Sequence, residues 1–538
     1  MKRLVKIDHL KICFYFLCFF IFCICDQRIG SASGEIQLVC PNIVLIVLCC
    51  ICLSHYSLSS FRRLPFLVLS LVCAIGAALV LYLEWPKTYY HYQLLSGVIA
   101  AVLYCFVLMQ TVFAIFSRKS LPRSNHLNLG ILSLLLVLML LSRYDRYIGA
   151  LLCLSVVLIY LTDFTAQECE WMLKALGGAV LTAFFVLQGL AFVFRPYDTL
   201  RYLGMYANTN MNALLYQMAY CVFLGNFCIL DVKKTHPLLK WGSFCFACAM
   251  WSFVLLTMCR SAILGMAAAT LLGCGITLWK QQGKRLQKGL VYVCGMILVS
   301  MLSFPIVYGA VRYLPPVFHH PIWFMTEYSE EKVHSWDPYD SEKYTDWRDV
   351  LQENFGRIFT NVTVSRTSSR VDSQFLPLLT TVQFFPAPAA QEATVPPEPT
   401  PSPGGGTPSG SKSIAARFTI YQQYLSRLNL WGHADSENGV QVSETYFAPH
   451  AHNVVLQYAF NYGLPAGLVF LIYLAVSGIR LLSACIRDKA HTPFLVALLL
   501  FASIAIFGMT ELIWRYGQLS HTLLFLLPSL VRRHRAEA

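Results

Sequence analysis

The chain alternates long apolar runs with short polar connections over most of its length. About fourteen runs are long enough to cross a bilayer as helices, which need roughly 20 residues at about 1.5 Å per residue. They lie approximately at 10–25, 38–55, 64–84, 93–116, 127–142, 148–162, 173–194, 211–230, 241–258, 262–279, 289–310, 453–482, 493–511 and 516–531. The pattern predicts an all-α polytopic membrane protein with about 12 to 14 transmembrane helices.

One long polar segment, 311–451, interrupts this alternation. It begins with mixed aromatic, acidic and basic residues, typical of helices lying on a membrane surface, and continues as a Pro/Gly/Ser/Thr-rich linker, 386–412, predicted to be disordered. After the linker, Phe418, Tyr421, Leu425 and Leu428 recur at helical spacing and predict an amphipathic helix within 413–433.

The segment divides the chain into four regions. They are N-terminal transmembrane helices (1–194), transmembrane helices carrying arginine motifs (195–310), the large extracytoplasmic loop (311–451) and C-terminal transmembrane helices (452–538).

Composition agrees with a membrane protein, since 57% of the residues are hydrophobic and 13% charged. The net charge of +13 follows the predicted topology: about 23 of the 41 Lys and Arg residues fall in alternate, cytoplasmic connections. This places both termini in the cytoplasm and the long loop outside, and it disfavours nucleic-acid binding. The basic start and apolar middle of the first run resemble a signal peptide, but no A-x-A site follows, so a retained helix is favoured.

The 20 cysteines lie almost entirely within apolar runs, and the long loop has none. They are interpreted as small buried apolar residues, not as a disulfide or metal framework. The C-x-x-C pair Cys245 and Cys248 has no further ligands beside it in sequence.

Polar residues that could carry chemistry cluster on the predicted outer face. Arg201 precedes Asn208, Asn210 and Asn212 at the start of a span, where asparagines also serve as ordinary helix caps.

Arg260 lies between two apolar runs with almost no loop around it. With Ser261 and the N–H groups of the helix after it, it suits a phosphate or diphosphate, while snorkelling to the surface is the structural alternative.

Two further features lie near the last spans. Arg417 and Tyr421 are one turn apart on the predicted amphipathic helix, where a solvated face is the alternative to a site. His450, His452 and Asn453 stand at the mouth of the following span, and a histidine there can take a proton from a hydroxyl.

Two other interpretations concern the same region. A zinc site would need further ligands, for which His433, Asp435 and Glu444 are near in sequence. Glu511 and Arg515 are spaced i, i+4, which favours a structural ion pair over a catalytic role.

Several arginines and a histidine on one membrane face suggest one site. The arginines would neutralise a diphosphate leaving group while the histidine activates an acceptor hydroxyl.

Four motifs in order, "RYLGMYANTNMNALL", "CRSAILGMAAA", "ARFTIYQQYLSRLNLWGH" and "HAHNVVLQYAFNYGLPAGLVFLI", resemble those of the O-antigen ligase and polymerase family. This family of bacterial surface-glycan assembly belongs to the C-type glycosyltransferase superfamily, and the resemblance covers about 195–480. The chain departs from the pattern at Cys259, where a serine is usual before the arginine, and by the Pro-rich insertion.

The resemblance implies an enzyme of the bacterial inner membrane. It would transfer a glycan from an undecaprenyl diphosphate carrier to an acceptor hydroxyl on a glycan, lipid or protein, outside the cytoplasm and without a metal or cofactor. The implied residues are Arg201 and Arg260 for the diphosphate with help from Arg417, His452 for the acceptor, His450 and Asn453 in support, and further support from Ser261, Asn208, Asn210 and Tyr421.

The motifs do not separate a polymerase from a ligase. A lipid-linked oligosaccharide flippase or other transporter is the alternative from a different class, and a structural or sensor membrane protein is a third. Transporters usually show related halves and polar residues at the midplane, which this sequence lacks.

Overall fold

The computed structural model describes residues 2–25, 41–56, 64–84, 91–118, 126–144, 146–162, 164–194, 201–206, 209–280, 285–318, 346–356, 414–434, 439–443, 446–487, 494–511 and 519–531. These residues form seventeen α-helices and one two-stranded sheet. The helices are α1 Lys2–Cys25, α2 Pro41–His55, α3 Leu64–Glu84, α4 His91–Arg118, α5 His126–Leu141, α6 Arg146–Leu161, α7 Ala166–Phe194, α8 Thr209–Lys233, α9 Pro237–Thr257, α10 Arg260–Lys280, α11 Arg285–Phe318, α12 Trp347–Leu351, α13 Ile414–Ser426, α14 Val454–Tyr462, α15 Leu464–Arg487, α16 Phe494–Gly508 and α17 Leu519–Leu530. The strands are β1 Val440–Ser443 and β2 Tyr446–Ala448, and a π-helical turn, Gln352–Gly356, continues α12.

Seven of the described helices are long and apolar enough to cross a membrane: α4, α7, α8, α9, α10, α11 and α15. Five more are apolar but shorter: α2, α3, α5, α16 and α17. The prediction of a helical polytopic membrane protein is therefore confirmed in its coarse form. The total number of spans, the cytoplasmic termini and the extracytoplasmic loop stay predictions.

The bundle is built around α8, which packs against α7, α9, α10 and α16. Buried polar side chains tie neighbouring helices together inside this apolar core. The Asn128 amide of α5 donates to the hydroxyls of Tyr160 on α6, at 3.3 Å, and Ser477 on α15, at 3.2 Å. Such bonds satisfy polar groups that have no water to bind in a bilayer.

A second, small apolar core lies at one end of the bundle. It joins α13, the sheet and α14 through buried side chains that include Ile420, Tyr424, Val440, Ala448 and Phe460. The strands pair antiparallel, and the Tyr424 hydroxyl donates to the Ala448 carbonyl at 3.0 Å. Among the described residues, this sheet is the departure from the predicted all-α architecture.

The predicted single span over 453–482 is wrong, because the chain breaks into α14 and α15 at Gly463. Gly463 has φ of 96°, and a Cβ on it would overlap the carbonyl of Leu430. Close approach of two backbones thus ends α14.

The predicted amphipathic helix is confirmed as α13, but with another buried face. Ile420 and Tyr424 are buried, whereas Phe418 and Leu425 are exposed. The linker 386–412 lies outside the described residues, and α11 extends helically to Phe318.

Candidate functional site

The "HAHN" motif forms the N-terminus of α14. Asn453 is its N-cap, and its side-chain oxygen accepts from the Leu456 N–H at 3.0 Å. Its amide nitrogen donates at 3.0 Å to the carbonyl of Met509, just beyond α16. Asn453 therefore caps one helix and ties it to the end of another.

His452 adopts φ of 49°, a left-handed conformation that is uncommon outside glycine. Its Nδ1 lies 3.5 Å from Oε2 of Glu511, at ion-pair distance but too far for a good hydrogen bond. The His450 ring is beside it, with ring centroids 4.3 Å apart. The backbone therefore holds a strained histidine against a carboxylate, a combination that favours a functional role.

Glu511 also contacts α13. Nη2 of Arg417 pairs with Oε1 of Glu511, and Nη1 donates to the Thr510 carbonyl at 2.7 Å. One turn on, the Tyr421 hydroxyl donates to the carbonyl of His452 at 3.2 Å. Arg417, Tyr421 and His452 thus converge on the short segment that follows α16.

The Glu511 side chain is 8% exposed. Burial by itself raises the pKa of this carboxyl, but the contact with His452 and the charge of Arg417 outweigh it and hold the pKa below its usual value. Glu511 is therefore an anion between two basic side chains.

Arg201 organises a neighbouring group. Its Nε donates to the carbonyl of Thr257 at 2.9 Å, and its Nη2 donates to the side-chain oxygen of Asn210 at 2.7 Å. The start of α8 and the end of α9 are thereby joined by one guanidinium. Asn210 lies in the first turn of α8, where it serves as an acceptor for Arg201.

Arg260 is the first residue of α10 and is half-buried. The turn before it has Met258 at φ of 52° and the buried Cys259. Ser261 is buried, so its hydroxyl does not face the surface as the sequence suggested.

Cys259 is the buried residue directly before Arg260. Burial raises the pKa of its thiol to about 11, Glu511 adds to the increase, and Arg201 and Arg417 oppose it.

The structure brings together His450, His452, Asn453, Arg417 and Tyr421. Arg201 and Asn210 form a second contact, and Arg260 begins α10. Asn208 lies outside the described residues, as does Arg515. Glu511, which the sequence pairs with Arg515, contacts Arg417 and His452. The sequence feature that could have indicated Glu511 as a site residue is a carboxylate at the end of an apolar run.

The zinc alternative gains no support from His433. Its Nδ1 lies 2.9 Å from the Phe460 carbonyl and its Nε2 3.3 Å from the Asn429 amide, so both ring nitrogens face protein groups. Asp435 and Glu444 lie outside the described residues. No group of three or more His, Cys, Asp or Glu side chains in the described part of the chain could hold a metal ion.

Comparisons with family models, with curated proteins and with solved structures find no match to this chain.

Proposed function

We propose that the chain is a membrane glycosyltransferase that moves a glycan from an undecaprenyl diphosphate carrier to an acceptor hydroxyl, as a surface-polysaccharide polymerase or ligase. The observation that carries the proposal is the contact of one buried carboxylate, Glu511, with both His452 and Arg417. A carboxylate beside an imidazole and nearby arginines suits a reaction that removes a proton and releases an anion.

His452 is the proposed base. With the Nδ1 proton directed to Glu511, Nε2 carries the lone pair that takes the proton of the acceptor hydroxyl. The acceptor oxygen then bonds to the anomeric carbon as the bond from that carbon to the diphosphate oxygen breaks. The carrier leaves with its diphosphate.

Arg201 and Arg260 are the proposed partners of the diphosphate, and Arg417 assists. A guanidinium presents several fixed donors to phosphate oxygens. Arg201 is already oriented by two protein acceptors, so little side-chain freedom is lost when it binds an anion.

In this proposal the site faces away from the cytoplasm of a bacterial inner membrane, with both termini cytoplasmic. Its partners are the lipid-linked donor, a glycan, lipid or protein acceptor, and the surrounding lipid. No cofactor is proposed.

The test uses the full chain reconstituted in nanodiscs with a synthetic polyprenyl-diphosphate oligosaccharide. Release of carrier diphosphate and glycan transfer are measured together. We expect His452→Ala to slow transfer by about 10²- to 10⁴-fold and Arg201→Ala by about 10²- to 10³-fold.

Matched controls are His126→Ala, at the exposed start of α5, and Arg348→Ala, exposed on α12. Both should leave transfer unchanged. Full activity in the His452 variant would refute the assignment of His452 as the base. Movement of intact donor across the vesicle membrane without bond cleavage would support the transporter alternative. Cells that accumulate single lipid-linked units would indicate a polymerase, and cells that accumulate long lipid-linked chains a ligase.

A further inference from the structure

Two large apolar side chains protrude from the turn that follows α13. Leu430 is 63% exposed and Trp431 is 54% exposed. They belong to residues 427–434, which we name the Trp431 loop. Exposure of adjacent bulky apolar residues usually marks an interaction surface.

Several contacts define the backbone conformation of the Trp431 loop. The Asn429 side chain accepts from the Trp431 N–H at 2.9 Å. The His433 ring stacks on Phe460, with centroids 3.9 Å apart and planes 8° from parallel. Gly432 has φ of 75°, and a Cβ there would overlap a backbone carbonyl of α14.

Backbone hydrogen bonds fasten the loop to the ends of two helices. The Trp431 carbonyl accepts from the N–H of Arg143, just after α5, at 2.9 Å. The Asn429 carbonyl accepts from the N–H of Leu464, the first residue of α15, at 2.8 Å. The loop therefore caps the adjacent ends of α5 and α15, which pack together.

Both helices expose apolar side chains. They are Leu127, Leu134, Val137, Leu140 and Leu141 on α5, and Leu464, Leu468, Leu471, Ile472 and Ile479 on α15. α15 is one of the membrane-length helices, so this face suits lipid. Leu430 and Trp431 add exposed apolar surface in the loop that is bonded to the ends of these helices.

Exposed basic residues flank the apolar pair, with Arg427 in the loop and Arg143 after α5. Arginine beside tryptophan at the end of a span is typical of the membrane–water interface, where the ring lies at headgroup level and the cation meets anionic lipid.

We propose that the Trp431 loop is inserted in the bilayer interface, with Leu430 at the acyl boundary and Trp431 among the headgroups. The partner is phospholipid. A second copy of the chain fits less well, because it would bring further arginines to Arg427 and Arg143, whereas anionic headgroups complement their charge.

The insertion would fix the height of the site above the membrane, because the loop follows α13 directly and α13 carries Arg417 and Tyr421. The proposed insertion of the loop does not depend on whether the chain transfers glycans.

Photocrosslinking tests the proposal in the full chain, reconstituted in vesicles of phosphatidylethanolamine and phosphatidylglycerol. Benzoylphenylalanine replaces Trp431, or replaces the exposed polar Ser426 as the control. After irradiation we expect a phospholipid adduct on the peptide containing position 431, and none above the unirradiated background at position 426. A product of doubled mass, no lipid adduct at 431, or equal adducts at both positions would overturn the proposal.

Fluorescence gives a second measurement that needs no crosslinker. The difference between the native chain and Trp431→Phe isolates the emission of Trp431. Lipids brominated near the headgroup end of the acyl chain should quench this difference more strongly than lipids brominated near the methyl end. Absence of quenching by either lipid would contradict insertion.

Discussion

Glu511 connects α13 to the end of α16, so neutralising its charge should loosen α13. In Glu511→Gln the amide keeps the shape of the side chain and one oxygen that can accept from Arg417. The Arg417 contact with the Thr510 carbonyl, at 2.7 Å, is unaffected. The variant therefore isolates the contribution of the negative charge.

The size of the lost stabilisation follows from replacing a hydrogen bond to a charged acceptor by one to a neutral acceptor. A bond to a charged group contributes about 1.5–3 kcal/mol and a neutral one about 0.5–1.5 kcal/mol, a difference of about 1–1.5 kcal/mol. Arg417 is 35% exposed, and solvent replaces part of the lost interaction. We therefore expect Glu511→Gln to lower the free energy of local opening of α13 by about 1 kcal/mol, which raises the opening equilibrium constant roughly fivefold.

Hydrogen exchange with mass spectrometry on the detergent-solubilised full chain measures this opening directly. Peptides covering α13 should exchange roughly fivefold faster in Glu511→Gln than in the native chain. The control is Glu170→Gln, which removes a surface i, i+4 pair with Lys174 on α7 and should leave α13 unchanged. Unchanged α13 exchange in Glu511→Gln, or an equal increase in the control, would refute the reasoning.

Three further predictions follow from the geometry. Gly463→Ala should lower the free energy of unfolding by more than about 2 kcal/mol, because the added Cβ has no space and the φ is strained for alanine. The control is Gly130→Ala, where a Cβ meets nothing within 4 Å, and equal apparent melting temperatures of the two variants would contradict the prediction. The pKa of Glu511 is held below its unfolded value, so its stabilising contribution is complete above about pH 5 and is lost as the pH falls through its folded-state pKa. Hydrogen exchange of α13 should therefore accelerate only in that acid range, and Glu511→Gln should not show the acceleration. Arg201→Lys should raise the KM for a lipid-diphosphate donor by about tenfold, because a lysine cannot reproduce the planar fork that is oriented by Asn210; an unchanged KM would remove Arg201 from the proposed donor site.

The sequence predicted most helices near their observed positions, because apolar length is a local property that one run of residues reveals. The break at Gly463 was missed for the opposite reason. Its cause is the approach of the Leu430 carbonyl from a loop more than thirty positions earlier, and a glycine within an apolar run carries no sign of such a contact. The short sheet was missed because its strands hold only four and three residues.

In the candidate site, too, local features were predicted and long-range contacts were not. The arginines and the histidine were identified from residue type and from their position beside spans. The contact of Glu511 with Arg417 was not predicted, because the two residues are 94 positions apart and local spacing carries no sign of such a contact. The face of α13 was wrong because the apolar residues Phe418 and Leu425 lie on its exposed side.

The 94-residue separation of Arg417 and Glu511 has a consequence for biosynthesis. Chain elongation at about 5–20 residues per second puts roughly 5–20 s between the synthesis of the two residues. Arg417 is translated at the start of that interval and His452 follows within it, but their shared carboxylate comes only at its end. The site can therefore close only after α16 has been made, and a ribosome that stops before Glu511 produces a chain whose basic residues lack their shared counter-ion.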